Sequence, residues 1–234
     1  MNKEKERNTL QLGHRDRLRV RYMQAGSEGM SDCDLLELLL TFPILRRDVK
    51  LYARRLLDRY KNISGILDAD MEEICKVSGL TEKSAFLFRI IRDLCERYLH
   101  EKVIDADVIS SPDILADYAR FKLGSCREEV LMIVYLNTKN HVINSEILTR
   151  GTVDSAIVYP RNIAAEALRQ SASGVILVHN HPSGDVTPSR EDISFTEKVR
   201  LSLSALEIRL LDHLIIGRDA IFSFHEKHLL ERPL

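Results

Sequence analysis

The residues whose types and spacing promise most chemistry are His179, His181, Ser189 and Asp192. They sit in the run His179-Asn180-His181-Pro182-Ser183-Gly184-Asp185-Val186-Thr187-Pro188-Ser189-Arg190-Glu191-Asp192. Alternate residues of a strand face one side, so His179 and His181 project together. Two neutral imidazoles at that spacing suit a zinc ion. The Pro-Ser-Gly-Asp turn folds the chain back. Asp192, in the first turn of the next helix, then offers a carboxylate that completes a His-His-Asp set. Three protein ligands with an open fourth position are the pattern of catalytic zinc. Such an ion lowers the pKa of a bound water to about 7 and polarises a carbonyl. Ser189 and Asp192 also have the spacing of a helix capping box, which is compatible with ligation.

These side chains need a scaffold, and the second half of the chain supplies one. Val130-Leu131-Met132-Ile133-Val134-Tyr135-Leu136 is continuously apolar and rich in strand formers, which predicts a central strand. Thr138-Lys139-Asn140 predicts a turn and 142–148 a second strand. Pro160 opens a helix to Gln170, and 174–178 reads as a third buried strand running into His179. A helix from Ser189 to about Leu206, strands over 209–216 and 220–224, and a short terminal helix follow. With the Ser111-Pro112-Asp113 helix in front, the order is α β β α β α β β α. That is an α/β (α+β) domain with a mixed central sheet flanked by helices. Strand C-terminal ends are where open α/β sheets place their sites.

The first hundred residues show only helical patterns. Asp32-Cys33-Asp34 caps an apolar stretch ending near Pro43, 49–60 repeats the pattern, Asn62-Ile63-Ser64-Gly65 breaks it, and 71–77 and 82–99 follow. Arg15, Arg17, Arg19 and Arg21 alternate like a strand or a snorkelling arm, or form a solvated charge run. Composition shifts near 101–109, dividing the chain into 1–104 and 105–234. Residues 1–100 carry 19 Lys+Arg against 16 Asp+Glu, a net of +3, within a chain of net −1. The basic excess is too small to identify a nucleic-acid binder.

At 234 residues, 44% hydrophobic and 29% charged, the chain reads as an ordinary globular protein, not a disordered or fibrous one. No apolar run reaches the ~18 residues of a membrane span. The charged N-terminus lacks the apolar core of a secretory signal. A cytoplasmic protein is expected, with Cys33, Cys75, Cys95 and Cys126 reduced, since none forms a CxxC pair.

HxH followed by seven residues, Ser, two residues and Asp resembles the JAMM/MPN metalloprotease motif at every defined position. HNHPSGD followed by PSxxD is similar to the form in the bacterial RadC family (UPF0758). GTVDSAIVYPRNI and LDHLIIG also look like segments of that family, and the resemblance covers nearly the whole chain. It implies a JAB/MPN-like domain over 105–234. It also implies that His179, His181 and Asp192 bind zinc and that Ser189 helps stabilise an oxyanion. An upstream glutamate is then the general base, and the matching segment 144–152 gives that role to Glu146. From the residues alone, Glu146 is either an exposed edge residue or a partly buried base. Glu128 and Glu129 are the competing candidates for the base, but they precede the first strand and read as solvated charge; Glu166 reads as helix surface. His213 reads as structural or as a partner that orients a ligand. His141, His225 and His228 are spare, and Asp185 is a turn residue.

Ile74 to Ala85 resembles a helix-hairpin-helix, the motif that presents turn amides to a DNA phosphate. Its usual second glycine is Thr81 here, whose Cβ could obstruct close approach or a positive φ. A packing module is the competing reading.

The expected function is therefore a zinc metallopeptidase or isopeptidase acting on an unidentified peptide or protein substrate. The alternative is a DNA-binding or repair-associated protein that binds DNA weakly and without sequence preference through its helical half. A two-metal nuclease needs more bridging carboxylates. A zinc deaminase needs HxE and PCxxC, which are absent. A binding module with a silent zinc site would not need a complete ligand set and a candidate base.

Overall fold

The computed structural model describes residues 13–104, 106–150, 158–218 and 220–230, the side chains of 149 and 150 excepted. Residues 151–157, most of the family-like segment after the second strand, and the N-terminal dozen examined for a signal lie outside the described residues. The chain divides into two compact units, Met1–Leu94 and Cys95–Leu234.

The first unit is helical. Its elements are α1 (His14–Ala25), α2 (Asp32–Leu40), α3 (Lys50–Tyr60), α4 (Ile63–Leu67), α5 (Met71–Ser78) and the start of α6 (Glu82–Val103). Leu36, Leu40, Ala53, Leu56, Ile66, Ile74 and Phe88 share one core. Ser31 and Asp34 close a capping box on α2, and Asp70 caps α5. Two expectations are corrected here. The break expected at 62–65 does end α3, at Tyr60, but it is no loop: the Asn62 side chain accepts from Gly65 N–H and starts α4. The arginine run is neither a strand nor an arm but helix α1. Arg15 donates to the carbonyls of Leu45 and Arg47, Arg21 pairs with Asp34 at 2.7 Å, and only Leu18 is buried.

The hairpin between α5 and α6 is closed on itself. Gly79 takes the left-handed conformation (φ 80°), and its N–H bonds Cys75 O. Leu80 N–H donates to Ser78 Oγ at 3.1 Å and Ser84 N–H to Thr81 Oγ1 at 3.3 Å. Thr81 is not in the left-handed region, so its Cβ brings no backbone strain. The amides of Gly79, Leu80 and Ser84 are thus engaged within the hairpin itself.

The second unit contains α7 (Pro112–Leu123), β1 (Val130–Leu136), β2 (Val142–Arg150), α8 (Pro160–Arg169), β3 (Gly174–Asn180), α9 (Arg190–Ser204), β4 (Arg209–Ile216) and β5 (Ile221–Ser223). The five strands lie in the order β2-β1-β3-β4-β5. Only β3 and β4 are parallel, joined through α9; the other pairs are antiparallel. The mixed α/β sheet flanked by helices is as the sequence predicted. Alternation along each strand divides the core. Met132, Val134, Ile176 and Val178 face α7, while Ile133, Tyr135, Val175 and Leu177 face α8 and α9. Each such fully buried aliphatic side chain contributes about 1.5–3 kcal/mol. The terminal helix is not formed among the described residues; 224–228 are turns, with His228 left-handed (φ 54°).

Composition placed the boundary at 101–109. The long helix α6 runs through to Val103, and the compact units divide within it. Among the described residues, no helix is long and apolar enough to cross a membrane.

Candidate metal centre

β3 is flanked on both sides by strands and is buried along its length, so its C-terminal end is a rigid mount. His179 falls on the α9 face. His181 follows the strand, its N–H bonded to Ile216 O at 2.9 Å. The turn after it closes through Gly184 N–H to His181 O, with Gly184 left-handed at φ 85°. Gly217 lets that loop sit close: a Cβ there would lie 2.7 Å from Gly184 O. Asp185 is the turn residue it was read as, accepting Thr187 N–H through its side chain. Its backbone carbonyl has a second use, 2.6 Å from His181 Nδ1. Ser189 then caps α9.

The result is a tight group. His179 Nε2 and His181 Nε2 are 2.9 Å apart, and the Asp192 oxygens lie 3.3 and 3.5 Å from them. All three candidate ligand atoms lie within 4.8 Å of one another.

Proton positions follow from the hydrogen bonds. Thr196 Oγ1 lies 2.6 Å from the Asp192 carbonyl, which can only accept, so the hydroxyl donates there. It must then accept from His213 Nδ1, also at 2.6 Å. Neutral His213 is left with a lone pair on Nε2, which accepts from His179 Nδ1 at 2.7 Å. His179 Nε2 is therefore bare. His181 donates Nδ1–H to Asp185 O, which leaves Nε2 of the neutral ring facing His179 and Asp192. With both rings neutral, two lone pairs and a carboxylate converge, an arrangement that fits a cation. Of the two readings left open for His213, its bond to His179 Nδ1 fits the partner that would orient a ligand.

Burial holds His179 down to about 4; the Asp192 carboxylate opposes this and His181 adds to it. His213 is also held well below its ordinary value by burial. The unfolded imidazoles take protons near pH 6.5, but the folded ones resist, so stability is lost as pH falls from about 6.5 towards 4. The urea midpoint of the metal-free protein is expected to drop across that window; a flat midpoint would contradict these tautomers.

Ser189 and Asp192 form the full capping box. Ser189 N–H and Oγ donate to Asp192 Oδ2 at 2.8 and 2.6 Å, and Asp192 N–H donates back to Ser189 Oγ at 3.0 Å. The serine proton is committed to the carboxylate, so an oxyanion role needs that proton redirected. Ser189→Ala is expected to destabilise the fold by about 1 kcal/mol through the lost cap and to weaken metal binding through a looser Asp192. Thermal melts with and without metal check both.

Glu146 is not brought to this group, which corrects the expectation. It pairs in register with Ile133, opposite Leu177, and its carboxylate accepts from Tyr135 Oη at 2.5 Å. Tyr135 lies opposite Val175, four residues back along β3 from His179. Burial first, and then that bond, push the Tyr135 phenol far above its usual range. Glu166 is held by Arg169 and Gln170.

The glutamate that the register does bring near is Glu129. The β1–β3 register ends at Leu131 with His179, and counting two residues further along both chains would set Glu129 opposite His181. Alternation puts it on the face of Leu131 and His179, and it is half-buried while Glu128 is exposed. The signal in the sequence was the period-2 continuation of β1 beyond Val130.

A mixed five-stranded sheet with a His-His-Asp group at the end of a central strand defines a JAB-type domain with a candidate metal site. Residues 109–229 match the RadC-like JAB domain, and residues 10–86 match the UPF0758 N-terminal family. A UPF0758 protein of Ruegeria pomeroyi is 42% identical over 217 residues, 93% of this chain and 97% of the relative. One from Rhodobacter capsulatus is 39% identical over 91% of this chain and 100% of its own length. One from Fusobacterium nucleatum is 34% identical over 93% and 97%. The chain belongs to the RadC-like JAB domain family, UPF0758.

Proposed function

We propose that this protein is a zinc-dependent hydrolase of amide or isopeptide bonds, with Glu129 as general base. One observation carries the reading: two bare imidazole nitrogens and a carboxylate converge at the end of β3. Imidazole with carboxylate suits zinc. The 2.9 Å between the two histidine nitrogens and the 3.3 Å from His179 Nε2 to Asp192 Oδ1 lie close to the edge of about 3.3 Å expected of a tetrahedron with 2.0–2.1 Å bonds. Held by His179, His181 and Asp192, zinc supplies a Lewis acid that polarises a carbonyl and acidifies a water. Glu129 takes the proton from the attacking water and returns it to the departing amine. His213 and Asp185 keep both histidine lone pairs aimed inward, and Ser189 fixes the Asp192 carboxylate.

The test is a library of peptides and lysine-ε-linked isopeptides incubated with the zinc-loaded protein. New amines are expected, lost with a chelator and restored by zinc. Cleavage of DNA without release of amines would replace this reading with the DNA-processing one. The Leu80 and Ser84 amides of the α5–α6 hairpin, each taken by a neighbouring hydroxyl, favour the hydrolase.

A further inference from the structure

Asn180, between the two histidines, is 1% exposed and uses its whole carboxamide. Oδ1 accepts Val130 N–H at 2.8 Å. Nδ2 donates to Glu128 O at 3.1 Å and to Cys126 O at 3.3 Å. These three partners bracket Glu129 on both sides. The backbone register between β1 and β3 ends at Leu131 with His179. Beyond that pair, the Asn180 side chain takes over the ladder's task of tying residues 126–130 to β3. Asn180 follows Ile176 and Val178 on the α7 face, so its carboxamide is turned away from the histidines. It would not touch a metal or a substrate on the other face.

We propose that Asn180 is a positioning residue: its buried carboxamide clamps the chain on either side of Glu129 and so fixes that carboxylate beside His181. The inference rests on Glu129 being the base, as read above. Aspartate would keep the acceptor for Val130 but turn a second oxygen onto two carbonyls, and alanine or serine would release all or most of the clamp. The base would then be present but loosely aimed, which suffices to lose its contribution.

The experiment uses cobalt-loaded full-length protein titrated with acetohydroxamate, followed by the visible cobalt spectrum. The hydroxamate occupies the open metal positions and donates a proton to the neighbouring carboxylate, a charge-assisted hydrogen bond. Glu129→Gln is expected to weaken binding about tenfold or more at unchanged cobalt content. Asn180→Ala is expected to weaken it to a similar extent, also with cobalt retained. The double variant should bind no more weakly than either single one, because Asn180 acts only through Glu129. Asn180→Ser, which keeps a small polar group, should fall between Asn180→Ala and wild type.

Losses that add in the double variant would overturn the proposal. So would wild-type binding in Asn180→Ala, or loss of cobalt in both Asn180 variants, which would make the residue part of the metal site's framework. Wild-type hydroxamate binding by Glu129→Gln is a different failure: it removes the base assignment itself.

Discussion

Glu129→Gln is expected to keep one zinc per chain and to lower amide hydrolysis by about 10²–10⁴-fold, the usual contribution of a general base. The glutamine can still hold a water but cannot take its proton. Glu146→Gln is the matched control. The Glu146 carboxylate accepts the Tyr135 hydroxyl, and a glutamine carbonyl oxygen can accept it too, so that variant should fold and hydrolyse at the wild-type rate. Rates and zinc content measured on the same preparations separate the two glutamates. Loss of hydrolysis in Glu146→Gln with none in Glu129→Gln would restore the assignment drawn from the resemblance.

His179→Ala is expected to lose the metal altogether. It removes one of three ligands and leaves His213 Nε2, buried and neutral, without its donor. His213→Ala keeps all three ligands but releases the His179 tautomer, and should cost about 10–100-fold in affinity, as partners behind a ligand typically do. The loss in His179→Ala should exceed that. Competition with a chromophoric chelator gives both numbers. Equal zinc affinity in wild type and His179→Ala would reject the His-His-Asp site.

The ligand set was legible because it is local. HxH at a strand end, a turn and a helix cap lie within fourteen residues, and each obeys short-range rules. The sheet class was legible for the same reason, from the continuous apolar runs that became β1 and β3. The proposed base was not, because it depends on which strands are neighbours. Glu129 becomes relevant only when β1 is placed beside β3, and Glu146 loses relevance only when β1 is found to lie between it and His179. Neither fact has a local signature.

Two smaller misreadings have local causes. Arginine at every second position mimicked strand alternation, yet the segment folds as α1 because its arginines find carbonyls and Asp34 rather than a sheet. Asn62 looked like a breaker because the side chain that interrupts one helix is also the best cap for the next. In the hairpin, Thr81 raised a concern about φ that the backbone does not bear out. What weakens the DNA reading is instead the serine and threonine hydroxyls that occupy the turn's amides.

The most direct test of the central claim is a crystal structure of the zinc-loaded protein, with anomalous scattering to place the ion. A single zinc peak is expected, bonded to His179 Nε2, His181 Nε2 and an Asp192 oxygen, with the Glu129 carboxylate one water away and Glu146 still on Tyr135. A zinc peak elsewhere, or one faced by Glu146 while Glu129 points to solvent, would contradict it.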